Sequence, residues 1–212
     1  MIKKVVGTAL VCGAFITNIS MAASISDSSS NSTFGTAQNI DSSFTTAFSP
    51  DIGDAAGNNT SLSSRHVTIA ATGDNSYDYF SFSVLKVNTI GRFDIDHTFS
   101  TDTVIALWDS AGNFLKFNDD SSITSGANGS TSGLDAFIEH TFSSAGSFVV
   151  GVARSGAAAT NNGWSSGNVL LPGDNYTLQT SLEAPAPVPV PAAVWLLGSG
   201  IVGLVTFGRR KV

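Results

Sequence analysis

The chain has 212 residues, 16 of them acidic and 10 basic, with one cysteine and a formal net charge of −6. The cations collect at the two ends: residues 24–187 hold all 16 acids but only Arg65, Lys86, Arg92, Lys116 and Arg154, five cations, for a formal charge of −11. Nucleic-acid binding is excluded as a function class, because a phosphate-backbone footprint needs clustered Lys and Arg and this span has none.

The first predicted element is a secretory signal peptide over residues 1–23. Lys3 and Lys4 precede an apolar stretch over 5–19, and Ser20, Met21, Ala22 and Ala23 offer small residues for cleavage after Ala22 or Ala23. The expected partners at this stage are the Sec translocon and signal peptidase. Cys12 lies inside the apolar stretch, and Ala9-Leu10-Val11 before it does not form a lipoprotein cleavage box. The exported chain then has no cysteine, so its core, with or without metal ions, must hold it together.

Residues 24–183 read as one domain, of which 24–60 form a loosely structured lead-in. Ser, Thr, Gly, Asn and Asp are abundant, and apolar residues alternate in short runs without a helical period. Strands are expected at 67–72, 77–84, 89–96, 103–108, 113–117, 136–142, 147–153 and 176–182. In the second of these, Phe80, Phe82 and Val84 share one face while Tyr79, Ser81 and Ser83 share the other. Val104, Ala106 and Trp108 alternate with Ile105 and Leu107, so that strand is apolar on both faces and central. Asp109-Ser110-Ala111-Gly112-Asn113 is a turn joining a hairpin. The fold class is all-β: an antiparallel β-sandwich.

Several segments in order carry a resemblance. Asn31-Ser32-Thr33-Phe34-Gly35-Thr36-Ala37-Gln38-Asn39-Ile40, then Asp74 with Tyr77-Asp78-Tyr79-Phe80-Ser81-Phe82, Phe93-Asp94-Ile95-Asp96, Asp102-Thr103, Ala106-Leu107-Trp108-Asp109, Asn118-Asp119-Asp120, Ala145-Gly146 and Tyr176-Thr177-Leu178 resemble the bacterial pre-peptidase C-terminal domain, over residues 28–183. That resemblance implies a non-catalytic, jelly-roll-like β-sandwich of a kind usually attached to secreted proteases; relatives in collagenases bind calcium and matrix. Here no protease accompanies it, and the Gly/Ser/Asn-rich loop 155–174 departs from the pattern.

The acidic excess has two readings, solubility outside the cell and binding of divalent cations. Asp94, Asp96, Asp102, Asn118, Asp119 and Asp120 fall at strand ends or turns, where oxygen ligands could converge on calcium, a hard cation taking six to eight of them. Asp and Asn also favour turns for backbone reasons alone. Trp164, beside Asn161, Asn162 and Gly163, is the candidate carbohydrate contact, since an indole face stacks on a sugar ring; the other reading is a loop anchor. His66, His97 and His140 come without a nucleophile elbow, a zinc-binding pair or a phosphate-cradling loop. Asp135 and Glu139, four residues apart, read as one solvated strand face. An enzyme is not expected.

The chain closes with a Pro-rich linker at 184–191, an apolar run at 192–207 without charge, and a basic tail at 208–212. Counted from Val188 the apolar stretch meets the roughly 17–25 residues of a spanning helix, and Arg209, Arg210 and Lys211 provide a positive-inside stop. Pro189 and Pro191 mark the boundary between extended linker and helix. Val188-Pro189-Val190-Pro191-Ala192, the apolar run and the basic stop together resemble the PEP-CTERM sorting tail in its Val-Pro-Leu-Pro-Ala variant; Val190 stands where the name-giving motif has Glu. The resemblance implies a Gram-negative bacterium that makes exopolysaccharide, and processing by an exosortase-type membrane protease. The expectation is an exported, non-enzymatic cell-surface or extracellular-matrix protein, membrane-anchored at least in transit and associated with exopolysaccharide or envelope. The alternatives are a calcium- or carbohydrate-binding accessory module and a permanently anchored single-pass protein.

Overall fold

The computed structural model describes residues 21–98 and 101–186. Nearly all of the expected signal peptide, the sorting motif, the helix 192–207 and the basic tail lie outside these residues. Among the described residues no helix is long and apolar enough to cross a membrane.

Fourteen strands follow in chain order: β1 (Ile25–Ser26), β2 (Gln38–Asn39), β3 (Gly53–Ala55), β4 (Asn58–Asn59), β5 (Arg65–Thr72), β6 (Asp78–Val84), β7 (Ile90–Asp96), β8 (Thr103–Asp109), β9 (Phe114–Asn118), β10 (Phe137–Thr141), β11 (Gly146–Arg154), β12 (Ala158–Thr160), β13 (Gly163–Ser166) and β14 (Asn175–Glu183). All eight expected strands are present, as β5 to β11 and β14. The lead-in segment adds short strands to two sheet edges, β1 parallel to β5 and β2 parallel to β6.

Two five-stranded sheets face each other, ordered β1-β5-β14-β7-β10 and β2-β6-β11-β8-β9. Along the eight long strands the chain changes sheet at every connection except the β8–β9 hairpin. That is the double Greek-key order of a jelly roll. The last strand, β14, is internal, pairing antiparallel with β5 on one side and β7 on the other.

Period-two patterning decides which side chains meet between the sheets. Val67 and Ile69, Phe80 and Phe82, Phe93 and Ile95, Ile105 and Leu107, Val150 and Val152, and Leu178 are buried in one cluster. Phe82 is its hub, with ring centroids 5.3 Å from Phe93, 6.0 Å from Phe142 and 6.2 Å from Phe148. Each such side chain, fully buried, contributes about 1.5–3 kcal/mol.

The outer faces differ. Behind β6, β8 and β11 lies a second apolar layer of Tyr79, Ala106, Trp108 and Val149, with Phe34 and Trp164 packed on it. This matches the expectation that 103–108 is apolar on both faces. Residues 155–174, read from sequence as a long loop, contain the hairpin β12–β13, which covers this layer: the Trp108 Nε1–H donates to the Thr160 carbonyl at 2.6 Å. Gly151 leaves the room: a Cβ there would lie 2.9 Å from Trp108, 3.0 Å from Trp164 and 3.1 Å from Tyr79. Behind β5, β14, β7 and β10 the outer face is polar but also buried, with His66, Arg92, Asp94, Asp96, Gln179 and Ser181 all shielded. It is roofed by the β3–β4 hairpin and the 119–135 crossover, which meet at an Ala55–Ser125 bridge.

Candidate cation sites

On the polar face, strand parity sends Arg92, Asp94 and Asp96 outward from β7, because Phe93 and Ile95 point into the core. Arg92 is saturated. Its Nε donates to Glu139 at 2.8 Å and its Nη1 to Glu183 at 2.6 Å, with Asp54 at 3.9 Å. Asp94 has no such partner: it is 4% exposed, and neither carboxylate oxygen is hydrogen-bonded. Asp96 is fully buried with Oδ2 unpartnered; its Oδ1 accepts a long 3.4 Å bond from Ser130, and the Gln179 side-chain amide stands near the carboxylate. Burial pushes both carboxyls well above the usual carboxylate range, reinforced at Asp94 by Asp96 and Asp135 and at Asp96 by Asp51.

The crossover roof presses on this pair. Gly126, at φ +71°, lies so close that a Cβ would collide with the Asp94 carboxylate, and a Cβ on Gly129 would sit 2.5 Å from Asp96 Cγ. Asp51 approaches from the lead-in segment, its Oδ2 3.5 Å from His97 Nε2. Asp51, Asp96 and His97 each offer a ligand atom within 4.8 Å of the others. Asp135 sits just before β10 rather than on it. It accepts from Thr98 Oγ1 and from the amides of Thr131 and Ser132, which makes it a buried turn cap. Its expected strand-mate Glu139 is instead on β10, bound to Arg92.

The sequence grouped six residues for calcium, and the structure divides them. Asp102, Asp119 and Asp120 form their own group, away from Asp94 and Asp96, because β7 and β8 belong to different sheets. Asp102 is raised by burial and then by Asp119 and Asp120, while Ser155 Oγ donates to Asp119 at 3.2 Å. Asn118 takes a structural place between them, its Oδ1 accepting from the Phe137 amide at 2.9 Å and its Nδ2 donating to the Asp120 carbonyl.

A third acidic group did not emerge from the sequence. Asp78 is fully buried, accepts the Tyr176 hydroxyl at 2.6 Å and keeps Oδ1 unpartnered. Burial pushes it up to about 7 against that hydrogen bond. Asn31, 1% exposed, donates to Asp27 at 2.6 Å while its own Oδ1 is unpartnered. Asp27 is raised mainly by burial. An open groove of about 660 Å³ runs alongside, lined in part by Asp27, Asp74, His97 and Tyr176. A signal existed: extending the Phe80–Phe82–Val84 parity back two residues places Asp78 on the core face.

Trp164 is half-buried on the aromatic layer, its ring edge-on to Trp108 at 5.6 Å and 6.0 Å from Tyr77. Its amide donates to Tyr79 Oη at 2.8 Å, which fixes the hairpin to the sheet. The histidines stand apart: His66 Nδ1 faces the Ser64 carbonyl at 3.1 Å, His97 faces Asp51, and His140 lies 4.8 Å from the Phe142 ring. Among the described residues no histidine hydrogen-bonds a serine hydroxyl.

No known protein family matches the sequence, and no curated protein is similar to it. Among solved structures, the pre-peptidase C-terminal domain of a collagenase from Bacillus anthracis is similar over 55% of this chain and 86% of its own, at 11% identity and a TM-score of 0.31. A likeness of that size adds nothing to the strand order, and the all-β sandwich is read from the strand pairing itself.

Proposed function

We propose that this is an exported, non-enzymatic cell-surface or matrix protein: a jelly roll akin to the pre-peptidase C-terminal domain, delivered by a PEP-CTERM-like tail that an exosortase-type protease processes. The observation that carries the reading is how the sandwich ends. β14 completes the first sheet from within, and its last residue, Glu183, pairs with Ile90 and receives the Arg92 guanidinium. The described sandwich is therefore complete at Glu183, ahead of the linker at 184–191. A sandwich complete at Glu183 is compatible with a sorting tail that is cut after it.

Two further features support the reading. The signal-peptide pattern calls for export, and the acidic body, at −11 over residues 24–187, suits solubility outside the cell. The histidines are engaged by backbone, carboxylate and aromatic neighbours as structural residues are. In such a role the sandwich serves envelope or exopolysaccharide association. The test is the C-terminal mass of the protein from wild-type cells and from cells lacking exosortase. Cleavage near Pro191 in the first and an intact tail in the second is expected; an intact tail in both would mean a permanent single-pass anchor.

A further inference from the structure

The polar outer face contains an arrangement that protein groups alone leave unbalanced. Asp94 and Asp96 project from one face of β7 against the roof, and apart from the Gln179 amide near Asp96, both Asp94 oxygens and Asp96 Oδ2 have no hydrogen-bond partner. Buried carboxylates are ordinarily paired with cationic side chains or hydrogen-bonded. The cation on the same strand face, Arg92, is committed to Glu139, Glu183 and Asp54. On the other flank the half-exposed His97 faces Asp51, and Asp135 is satisfied by Thr98 and two backbone amides. The three carboxylates Asp51, Asp94 and Asp96 thus share one imidazole among the described residues.

We propose that Asp51 and Asp96, with the Asp94 carboxylate adjoining, bind one hard divalent cation of calcium type beneath the 126–129 turn. The 4.8 Å within which Asp51 and Asp96 offer oxygens is a span that one ion can bridge, given calcium–oxygen distances of about 2.3–2.6 Å. Asp94, two residues before Asp96 on the same face, stands outside that group and adds an unpartnered buried carboxylate beside it. The ion ties the lead-in at Asp51 to the sheet at β7, directly beneath the crossover roof. The roof is already seated for this, with the His97 amide donating to the Gly129 carbonyl at 3.3 Å. Because Gly126 and Gly129 touch the two carboxylates, the ion's loss is felt first in the 119–135 crossover. This proposal is independent of export or sorting.

The test uses the full-length chain, solubilised in detergent and stripped with EDTA. Calcium chloride is titrated by calorimetry while hydrogen exchange is followed in residues 119–135. Calcium should raise the melting temperature and protect the crossover. The double variant Asp94→Asn/Asp96→Asn should bind one calcium fewer, lose the protection and melt in EDTA at or above wild type, since Asn keeps the shape without the buried charge. Asp119→Asn, in the separate acidic group, should retain both responses. Asp51→Asn, on the rim, should weaken calcium at least tenfold and provides the readout if the double variant does not fold. Equal calcium uptake and crossover protection in wild type, the Asp94→Asn/Asp96→Asn double variant and Asp51→Asn would overturn the proposal. So would indifference of wild type to calcium, or a response to zinc without one to calcium, which would assign the site to His97 instead.

Discussion

The two outer faces of the sandwich are both roofed, yet by opposite chemistry. Behind β8 and β11 the roof is held by aromatic area, with Trp108 at 0% exposure among Phe34, Tyr79, Phe114 and Trp164. Behind β7 and β14 it is held over a row of charges, where Arg92 is satisfied and Asp94 is not. Apolar contacts are non-directional and tolerate a loosely patterned cover such as β12–β13. Buried charges demand a matched partner at each position, so the polar roof is specific in a way the aromatic roof is not.

The comparison is most easily broken at Trp108. Trp108→Ala should cost about 4 kcal/mol in urea unfolding and expose amides of 158–166 to hydrogen exchange, leaving protection at 119–135 unchanged. Joint loosening of both roofs would show that the faces are not independent.

The interior between the faces supplies a pH test. Asp78 binds its proton more tightly in the folded chain, at about 7, than in the unfolded chain. Its contribution is therefore fully present below the unfolded carboxyl range and is lost as pH rises through about 7. In EDTA, wild type should lose about 3 kcal/mol relative to Asp78→Asn between pH 4.5 and 7, measured by urea midpoints at each pH. Parallel profiles for the two proteins would refute the assignment.

The smallest effect is expected at the polar face's satisfied member. Arg92→Met should cost about 2 kcal/mol, because two glutamates lose their partner but are half exposed and solvent-screened. Adding salt should narrow the gap between variant and wild type, whereas the Trp108→Ala gap should not shrink with salt.

Much of the fold was legible because patterning acts locally. The Phe80–Phe82–Val84 alternation located β6, and the doubly apolar 103–108 run correctly placed β8 inside a sheet. β12 and β13 escaped because Ala158–Thr160 and Gly163–Ser166 have no periodic pattern of their own; they are strands because Trp108 and Trp164 hold them over the sheet. The candidate site was half legible. Asp94 and Asp96 were picked out as acids near the end of an expected strand, but Asp102, Asn118, Asp119 and Asp120 were joined to them since strand order, which sends β7 and β8 to different sheets, is not written in any short segment. Asp51 came from a turn with no pattern at all.

The internal position of β14 has a kinetic consequence. Thr68 on β5 hydrogen-bonds Gln179 on β14 across 111 residues, and β5 and β7 are joined to each other only through that strand. Until residues 175–183 are available, the first sheet exists as two separate pieces with exposed edges. The loop-closure entropy of that last insertion falls late and all at once, which makes folding slow for the chain's size. Those edges stay open to non-native pairing until residues 175–183 arrive.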